Sequence, residues 1–244
     1  MGKKFYVVFC SIIIISTLVI FVVIPLVARF DPMYGIPTLE FPVQDPDNVT
    51  RLSGYNHPDW GEPGVYHNGI DLVCKNYTYI VSPVNGIIIS ITENQNPYKN
   101  FIMFHVTILV NYFWNVKIVF EPNLNSSEGN AFQRSLIAVQ LFQRVSVGEV
   151  VGILLNGSSD YPHIHLMLSR TFRGTVCPYE YSSDTAKIYY EQISNVTGET
   201  ICYPGPSAAD DLYDLLAYII VTGAICIIVI VLYEVRKRKK SKID

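Results

Sequence analysis

The stretch "HNGIDLVCKNYTYIVSPVNGIIISI", residues 67–91, places two polar side chains directly before a series of β-forming residues. His67 and Asp71 are four residues apart, and Gly69 between them allows a tight backbone turn. The rest of the stretch is rich in Val, Ile, Tyr and Thr and is punctuated by turn residues, a composition typical of β-strands. We therefore predict that His67 and Asp71 lie where a turn enters a strand.

Runs of the same kind recur along the middle of the chain, whereas helical periodicity is weak. One amphipathic helix is predicted in "AFQRSLIAVQLFQR", residues 131–144. The fold class predicted for this region is mainly β, as one domain. The predicted strands lie in residues 77–83, 85–93, 100–114, 116–122, 149–155 and 163–170.

Two long apolar stretches flank this region, and each predicts a transmembrane helix. Residues 5–27 contain no charge and exceed the roughly 20 apolar residues that cross a bilayer, and residues 212–233 are of similar length. The lysines at 3–4 and the basic run 236–242 mark flanks that stay in the cytoplasm. We predict a multi-pass protein of the cell membrane with both termini cytoplasmic and the β domain outside. A cleaved signal peptide is the alternative for the first stretch, and a buried core helix is the alternative for either.

Composition divides the chain into seven segments. The Pro- and Asp-rich residues before Arg51 predict an extended stalk, and the Tyr-rich residues after Gly174 predict an irregular connector. The segments are a cytoplasmic N-terminus (1–4), a transmembrane helix (5–27), an extracellular stalk (28–50), a β domain (51–174), an irregular extracellular connector (175–211), a second transmembrane helix (212–233) and a basic cytoplasmic tail (234–244).

The predicted external segment is acidic. Residues 29–211 hold 10 basic against 18 acidic residues, a formal net charge of −8. Because phosphate contacts need clustered Lys and Arg, this charge argues against nucleic acid as a partner. The same segment holds five Asn-x-Ser/Thr sequons and the tails hold none, which predicts a glycoprotein. The sequons begin at Asn48, Asn76, Asn125, Asn156 and Asn195.

Three of the five cysteines lie in the predicted external segment, so at most one disulfide forms among them. We predict that Cys177 pairs with Cys202 and closes a loop near the end of the domain, which leaves Cys74 free. The chain has no CxxC pair, so a cysteine-based zinc cluster is not expected.

A second polar pattern, "HIH" at residues 163–165, lies at the start of a predicted strand. Its two histidines are two residues apart, so both side chains project from one face of the strand. A zinc site needs three or four nitrogen, oxygen or sulfur ligands in a tetrahedral arrangement. Alone, each pattern is also compatible with a structural role, such as a turn histidine and a capping aspartate at His67 and Asp71. Together the two patterns supply enough ligands for one zinc ion.

The surroundings of both patterns resemble the M23 zinc metallopeptidases, the LytM/lysostaphin-like family. The family opens with HxGxD, an apolar stretch and an Ala/Ser-Pro-x-x-Gly turn before a strand, and residues 67–91 are similar. It closes on Pro-His-x-His-Leu, and "VSVGEVVGILLNGSSDYPHIHLML", residues 145–168, is similar. The resemblance covers residues 51–170. It implies an M23/LytM-like antiparallel β-sheet ectodomain, a duplicated hybrid motif, between the two predicted transmembrane α-helices.

The resemblance implies a role for each polar residue of the two blocks. It implies that His67, Asp71 and His165 bind Zn2+ with a fourth position left open, and that His163 is a catalytic neighbour of the metal. Two imidazoles and one carboxylate also suit catalytic zinc on chemical grounds. The implied activity is that of a zinc metallopeptidase, an endopeptidase anchored by its two spans in membrane lipid, that acts on a peptide or a cell-surface polymer.

One departure from the family concerns catalysis. Active members carry another histidine in a Tyr-x-His-Leu segment before the closing block, whereas "KIVFEPNLN", residues 117–125, contains none. Glu121 is the titratable residue nearest to that place; it is predicted either to replace the histidine as a catalytic base or to be an ordinary strand-end residue. His105 is predicted to be a structural histidine of an apolar strand. His57 is predicted to be a loop residue, with a place in the lining of the groove as the alternative.

Three functions are compatible with these residues. The first is the zinc endopeptidase, and the second is a zinc-binding but catalytically inactive module that binds a cell-surface polymer or a protein partner. The third is a receptor or structural surface protein with a vestigial motif. Segments 92–101 and 124–143 depart from the family pattern and would remodel the groove. The family's bacterial cell-wall substrates therefore do not transfer to this chain by resemblance.

Overall fold

A computed structural model describes residues 35–58, 64–97, 99, 101–157, 161–170 and 174–205. The two predicted transmembrane stretches, 5–27 and 212–233, lie outside these residues. Among the residues that are described, no helix is both long enough and apolar enough to cross a membrane.

Most of the described strands belong to one antiparallel sheet. The strands are β1 (Val49–Ser53), β2 (Ile70–Cys74), β3 (Thr78–Val81), β4 (Gly86–Gln95), β5 (Ile102–Asn111), β6 (Trp114–Glu121), β7 (Arg144–Val145), β8 (Val150–Leu154), β9 (His163–Arg170) and β10 (Gly174–Val176). The sheet has eight strands in the order β1-β2-β9-β6-β5-β4-β7, with β10 also paired to β9. β3 and β8 form a separate two-stranded antiparallel sheet. The predicted mainly β class is therefore confirmed.

The two faces of the large sheet differ in polarity because its strands alternate apolar and polar residues. In β9, Ile164, Leu166 and Leu168 are fully buried, whereas His163 and His165, which alternate with them, keep some exposure. Successive side chains of a strand point to opposite faces, so the leucine face packs into the core and the histidine face is left open. Ile118 on the neighbouring strand β6 and Phe104 on the next strand, β5, belong to the same buried cluster.

Helix α1 spans Ser127–Ser135 and begins at Ser126, whose hydroxyl accepts a hydrogen bond from the N–H of Gly129 at 3.0 Å. The helix predicted at 131–144 is therefore helical only in its first part. Beyond Ser135 the chain pairs with β8 instead, through a bridge from Ile137 to Gly152 and a 2.8 Å hydrogen bond from Ala138 N to Val151 O. The β-branched residues of this segment explain the difference, since they favour extended backbone over helix.

Helix α2 spans Asp184–Thr197 and lies in the segment predicted as an irregular connector. Its residues Ala186 and Tyr190 are fully buried, and Ile193 packs against the same core. Their spacing of four and then three residues gives the helix one apolar face. The helix ends at Gly198, which adopts the left-handed conformation (φ 74°) that glycine accepts without steric cost.

The predicted disulfide between Cys177 and Cys202 is confirmed, with the two Cα atoms 6.1 Å apart. Cys74 is free, as predicted, and the structure shows that it is also buried. Burial raises the pKa of its thiol to about 12, so it is protonated at neutral pH.

Residues of the predicted stalk also contribute to the core. Leu39, Phe41 and Val43 are buried at alternate positions, and Val43 bridges to Ile80 in the small sheet. The N–H of Leu39 donates to the carbonyl of Tyr181 at 2.9 Å. The alternating apolar residues explain this packing, because an extended segment buries one of its two faces.

Candidate metal centre

The pairing of β2 with β9 brings the two polar patterns together. Asp71 in β2 is the direct cross-strand partner of His165 in β9, and Val73 is the partner of His163. Directly opposed residues of an antiparallel pair point to the same face, so the register puts the Asp71 and His165 side chains side by side. His67 lies in the turn before β2, four residues ahead of Asp71.

Three ligand-type atoms converge at this point. His67 Nε2 lies 3.1 Å from Asp71 Oδ1, and His165 Nδ1 lies 2.6 Å from the same oxygen. The two ring nitrogens are 3.0 Å apart. His67 and Asp71 are buried, and the His165 side chain is 11% exposed. The set could hold a metal ion, because its three ligand atoms all lie within 4.8 Å of one another.

The outer nitrogen of each imidazole has its own hydrogen-bond acceptor. His67 Nδ1 lies 2.7 Å from the carbonyl oxygen of Gly54, and His165 Nε2 lies 2.9 Å from the side-chain oxygen of Asn68. Each outer N–H therefore donates outward, which leaves a lone pair on each inner nitrogen. Such partners fix the tautomer and the ring orientation of metal-binding histidines.

The resulting donor set fits a cation. Two imidazole lone pairs and one carboxylate point toward one another at hydrogen-bonding distances, and three acceptors facing each other repel unless a proton or a metal ion lies between them. Two neutral histidines and one carboxylate form the ligand set of several catalytic zinc sites. The structure thus brings His67, Asp71 and His165 together as a group that could hold a metal ion.

Gly69 is required by the close approach of the turn to the metal-binding face. A Cβ atom at this position would lie 2.7 Å from ring atoms of His165 and 2.6 Å from the carbonyl oxygen of Leu166. Any side chain would therefore displace His165. This contact explains the glycine of the "HNGID" pattern in addition to the tight turn.

The charges around the site favour an ionised aspartate. Burial alone would raise the pKa of Asp71, but the positive charges that His163 and His165 carry when they are protonated outweigh this effect and hold the pKa well below its usual range. Burial lowers the pKa of His163, but the carboxylates of Asp71 and Glu121 outweigh burial and raise it above its ordinary value. The site therefore combines a stable carboxylate with a neighbouring imidazole that protonates readily.

Glu121 faces the same site from the next strand. It is the cross-strand partner of His163, and its Oε2 lies 3.6 Å from His163 Nε2. The same Nε2 is 3.7 Å from Asp71 Oδ2, while His163 Nδ1 lies 2.9 Å from the carbonyl of Tyr161. His163 therefore stands between the two carboxylates, with its outer N–H bonded to the backbone.

Asn96 holds the Glu121 carboxylate and was not anticipated from the sequence. Its Nδ2 donates to Glu121 Oε2 at 3.1 Å, and its Oδ1 accepts from the N–H of Lys99 at 2.9 Å. Asn96 lies in the β4–β5 hairpin, directly after β4. Asparagine is common in turns, so its place in a hairpin does not predict the hydrogen bond to Glu121.

His105 shares the open face of the sheet with the site. It pairs with Val119 in β6, and Val119 pairs with His165 in β9, so the three residues form one row across the sheet. Its Nε2 is buried and has no hydrogen-bond partner within the described part of the chain. Burial lowers its pKa to about 4, and the charges of Lys117 and of His165 in its protonated form act in the same direction. His105 is therefore neutral at pH 7.

His57 lies in the loop that carries Gly54, in agreement with its prediction as a loop residue. Its carbonyl accepts a hydrogen bond from the N–H of His67 at 3.1 Å, and its ring lies against Tyr203 with the centroids 5.0 Å apart. It touches the site through the backbone of His67.

Comparison with protein-family models and with curated proteins finds no match to this sequence. Solved structures do show similarity. The catalytic domain of the prophage-encoded M23 protein EnpA from Enterococcus faecalis, solved as a point mutant, is 20% identical, with a TM-score of 0.41, over 59% of this chain and 96% of that one. The catalytic domain of the antimicrobial peptidase lysostaphin from Staphylococcus simulans is 16% identical, with a TM-score of 0.37, over 59% of this chain and 95% of that one.

A zinc-containing peptidase from Vibrio cholerae is 18% identical, with a TM-score of 0.41, over 57% of this chain and 38% of that one. The M23-like resemblance indicated by the motifs thus recurs among solved structures, at low identity. Because all three TM-scores are below 0.5, the function of this chain has to be inferred from its own residues and their geometry.

Proposed function

We propose that this protein is a zinc metalloendopeptidase of the M23 type. The observation that carries the proposal is the inward convergence of three ligand atoms from His67, Asp71 and His165 beside the Glu121–His163 pair. Ligands and acid–base groups belong together in a hydrolytic site, whereas a structural metal site needs no second carboxylate at its edge.

The ligand set is proposed to bind Zn2+. His67 would bind through Nε2, His165 through Nδ1 and Asp71 through a carboxylate oxygen, because these are the atoms that face one another. Three protein ligands leave one position open, as catalytic zinc sites do. When bound, zinc supplies a Lewis acid that polarises a peptide carbonyl and lowers the pKa of a coordinated water to about 7.

Glu121 and His163 are the proposed catalytic residues. The Glu121 carboxylate, held by Asn96, is placed to accept a proton from the attacking water and to pass it to the leaving amine. His163 keeps its Nδ1 proton on the carbonyl of Tyr161, so its Nε2 faces the reaction space between Asp71 and Glu121. Protonated at Nε2, it would donate a hydrogen bond to the negative charge that develops on the substrate oxygen.

The proposed substrate is a peptide bond in a protein or in a peptide-containing cell-surface polymer, cleaved outside the cell. Lysostaphin is an antimicrobial peptidase, and we extend a peptide substrate, but no particular cleavage sequence, to this chain. The apolar stretches 5–27 and 212–233 are proposed to anchor the domain in the cell membrane, with both termini cytoplasmic. Glycosylation at the exposed sequons, such as Asn125 and Asn195, is part of the same proposal.

A peptide-library experiment tests the proposal. The full-length protein is incubated with a mixed library that includes oligoglycine and D-amino-acid crosslinks, and the new termini are identified by mass spectrometry. We expect cleavage that a chelator abolishes and zinc restores, and that His67→Ala lacks. Stoichiometric zinc binding without any cleavage would reject the endopeptidase and favour the inactive binding module.

A further inference from the structure

The carbonyl group that accepts the hydrogen bond of the His67 imidazole belongs to Gly54, and Gly54 packs against another part of the chain. Gly54, whose carbonyl receives the His67 N–H at 2.7 Å, lies against residues 199–205, here called the C-terminal strap. A Cβ atom at Gly54 would lie 1.9 Å from the carbonyl oxygen of Thr200 and 2.7 Å from that of Ile201. Only a glycine lets the strap approach this closely.

Backbone hydrogen bonds join the strap to the Gly54 segment. The N–H of Tyr55 donates to Ile201 O at 2.9 Å, and the N–H of Tyr203 donates to Tyr55 O at 2.8 Å. These bonds form a parallel bridge between Tyr55 and Cys202. The strap therefore fixes the backbone of Tyr55, and with it the direction of the preceding carbonyl, that of Gly54.

Further contacts on both sides restrain the segment around Gly54. The hydroxyl of Tyr55 donates to Thr175 O at 2.6 Å, and the N–H of Asn56 donates to His67 O at 2.7 Å. The strap begins with Glu199, which pairs with Arg51 at 2.9 Å. The Gly54 carbonyl thus lies between the strap on one side and the His67 turn on the other.

The disulfide fastens the strap at its centre. Cys202 is the strap residue that bridges to Tyr55, and it is bonded to Cys177, which is buried in the domain just after β10. The link therefore restrains the strap at the point where it contacts the Gly54 segment. The remaining contacts of the strap are non-covalent: the two backbone hydrogen bonds, the Arg51–Glu199 ion pair, the hydrogen bond from Ser194 to Glu199 O and the ring contact between Tyr203 and His57.

We propose that the C-terminal strap, fastened by the Cys177–Cys202 disulfide, positions the metal-binding His67 through the carbonyl of Gly54. The inference rests on the proposed zinc site. A fixed acceptor at Nδ1 keeps the His67 proton on the outer nitrogen and the lone pair of Nε2 directed inward. Loosening the strap lets the acceptor turn away, so the imidazole has to be ordered when the metal binds. Outer partners of this kind change metal affinity by about 10- to 100-fold.

Zinc affinity of two variants of the full-length chain tests the inference, by competition with a chromophoric chelator. The double variant Cys177→Ser/Cys202→Ser frees the strap, and Gly54→Ala pushes it away; neither change removes a ligand. No thiol reductant is used, because thiols bind zinc. We expect each variant to bind zinc about tenfold more weakly than the wild-type protein.

Two control variants separate this positioning effect from general destabilisation. Gly86→Ala creates a comparable clash, 2.6 Å from Leu109 O, at the far side of the sheet. Gln133→Ala removes two hydrogen bonds of a buried side chain, to Ile153 O and from Leu155 N. Both are expected to lower the melting temperature while the zinc affinity of the folded protein stays within about twofold of wild type.

Hydrogen exchange of the wild-type protein tests the same inference without any variant, and so does not depend on whether a variant folds. Coupling between two events is reciprocal, so zinc must stabilise the closed strap by the same factor by which the strap improves zinc binding. Hydrogen exchange at the N–H groups of Tyr55 and Tyr203 should therefore slow about tenfold when zinc is added.

The outcomes separate the two proposals. Wild-type protein that binds no zinc would overturn the zinc site and the strap inference together. Zinc binding at wild-type strength in both strap variants, or hydrogen exchange that zinc does not slow, would overturn the strap inference alone. Weaker binding in the strap variants with unchanged control variants would establish it.

Discussion

The carboxylate of Glu121 lies 3.6 Å from Nε2 of His163, across the β6–β9 pair. Glu121 lies near the position at which the M23 pattern has another histidine. It gives the site a second carboxylate in addition to that of Asp71, the proposed metal ligand. The Glu121 side chain is 12% exposed and accepts a hydrogen bond from Asn96, which distinguishes it from an ordinary strand-end residue in solvent.

Glu121→Gln tests the role of this carboxylate as a base. Glutamine keeps the size and one hydrogen-bond acceptor but cannot take a proton at neutral pH. We expect kcat for the peptide identified in the library to fall by about 100-fold or more, with zinc affinity unchanged. Glu149→Gln, in a turn of the domain, is the matched control and should keep full activity. An active Glu121→Gln variant would assign the base role to another group.

Asn96→Ala tests whether the β4–β5 hairpin positions Glu121. The change removes the 3.1 Å hydrogen bond to Oε2 and leaves the carboxylate itself in place. A hydrogen bond to a charged group is worth about 1.5–3 kcal/mol, so kcat should fall about tenfold while KM changes little. Asn96→Gln, which keeps the amide, should restore part of the loss. A change confined to KM would instead indicate that Asn96 contacts the substrate.

Gly69→Ala tests the close packing of the turn on His165. The added methyl group would lie 2.7 Å from the imidazole ring, so the ring has to move away from Asp71 and His67. We expect zinc affinity to fall about tenfold or more, measured by chelator competition. Gly86→Ala serves again as the control for a comparable clash elsewhere. Equal zinc affinity in Gly69→Ala and wild type would contradict the observed geometry.

The buried imidazole of His105 predicts a pH dependence of stability. Its pKa is about 4 in the folded protein, mainly because burial disfavours the charged form, against an ordinary value of 6.5. Between these two values the unfolded chain binds a proton that the folded protein does not. Stability is therefore fully present above pH 6.5 and falls as the pH is lowered toward 4.

His105→Gln removes this titration without removing the polar side chain. In metal-free protein, the melting temperature of the variant should fall by a few degrees less than that of wild type between pH 6.5 and 4. Differential scanning calorimetry at several pH values measures the difference. Parallel curves for the two proteins would show that His105 contributes nothing to the acid sensitivity.

Much of the strand pattern followed from the sequence, because it depends on local features. Alternation of apolar and polar residues marks strands such as β9. The ligand set of His67, Asp71 and His165 came instead from the resemblance of the two polar patterns to the M23 family. The three external cysteines limited the chain to one disulfide, and Cys177 and Cys202 were the pair that closes a loop near the end of the domain. The strand pattern depends on neighbouring residues, and the disulfide depends on the number of cysteines, so both can be deduced without knowledge of the fold.

Other features depend on contacts between distant segments, which spacing does not encode. From the sequence, Asn96 and Asn68 are expected to be loop residues. In the fold, Asn96 forms a hydrogen bond with Glu121, and Asn68 forms one with His165. Gly54 becomes important only through the strap, about 145 residues further along the chain. Residues 136–143 also show the limit of helical periodicity, because pairing with β8 competes with helix formation there.

Zinc titration into the metal-free full-length protein tests the central claim most directly. Isothermal titration calorimetry should show one zinc ion per chain, and His67→Ala should lose that binding, because His67 Nε2 is one of only three proposed protein ligands. A wild-type protein that binds no zinc, or that binds it equally well after His67→Ala, would contradict the proposed metal centre.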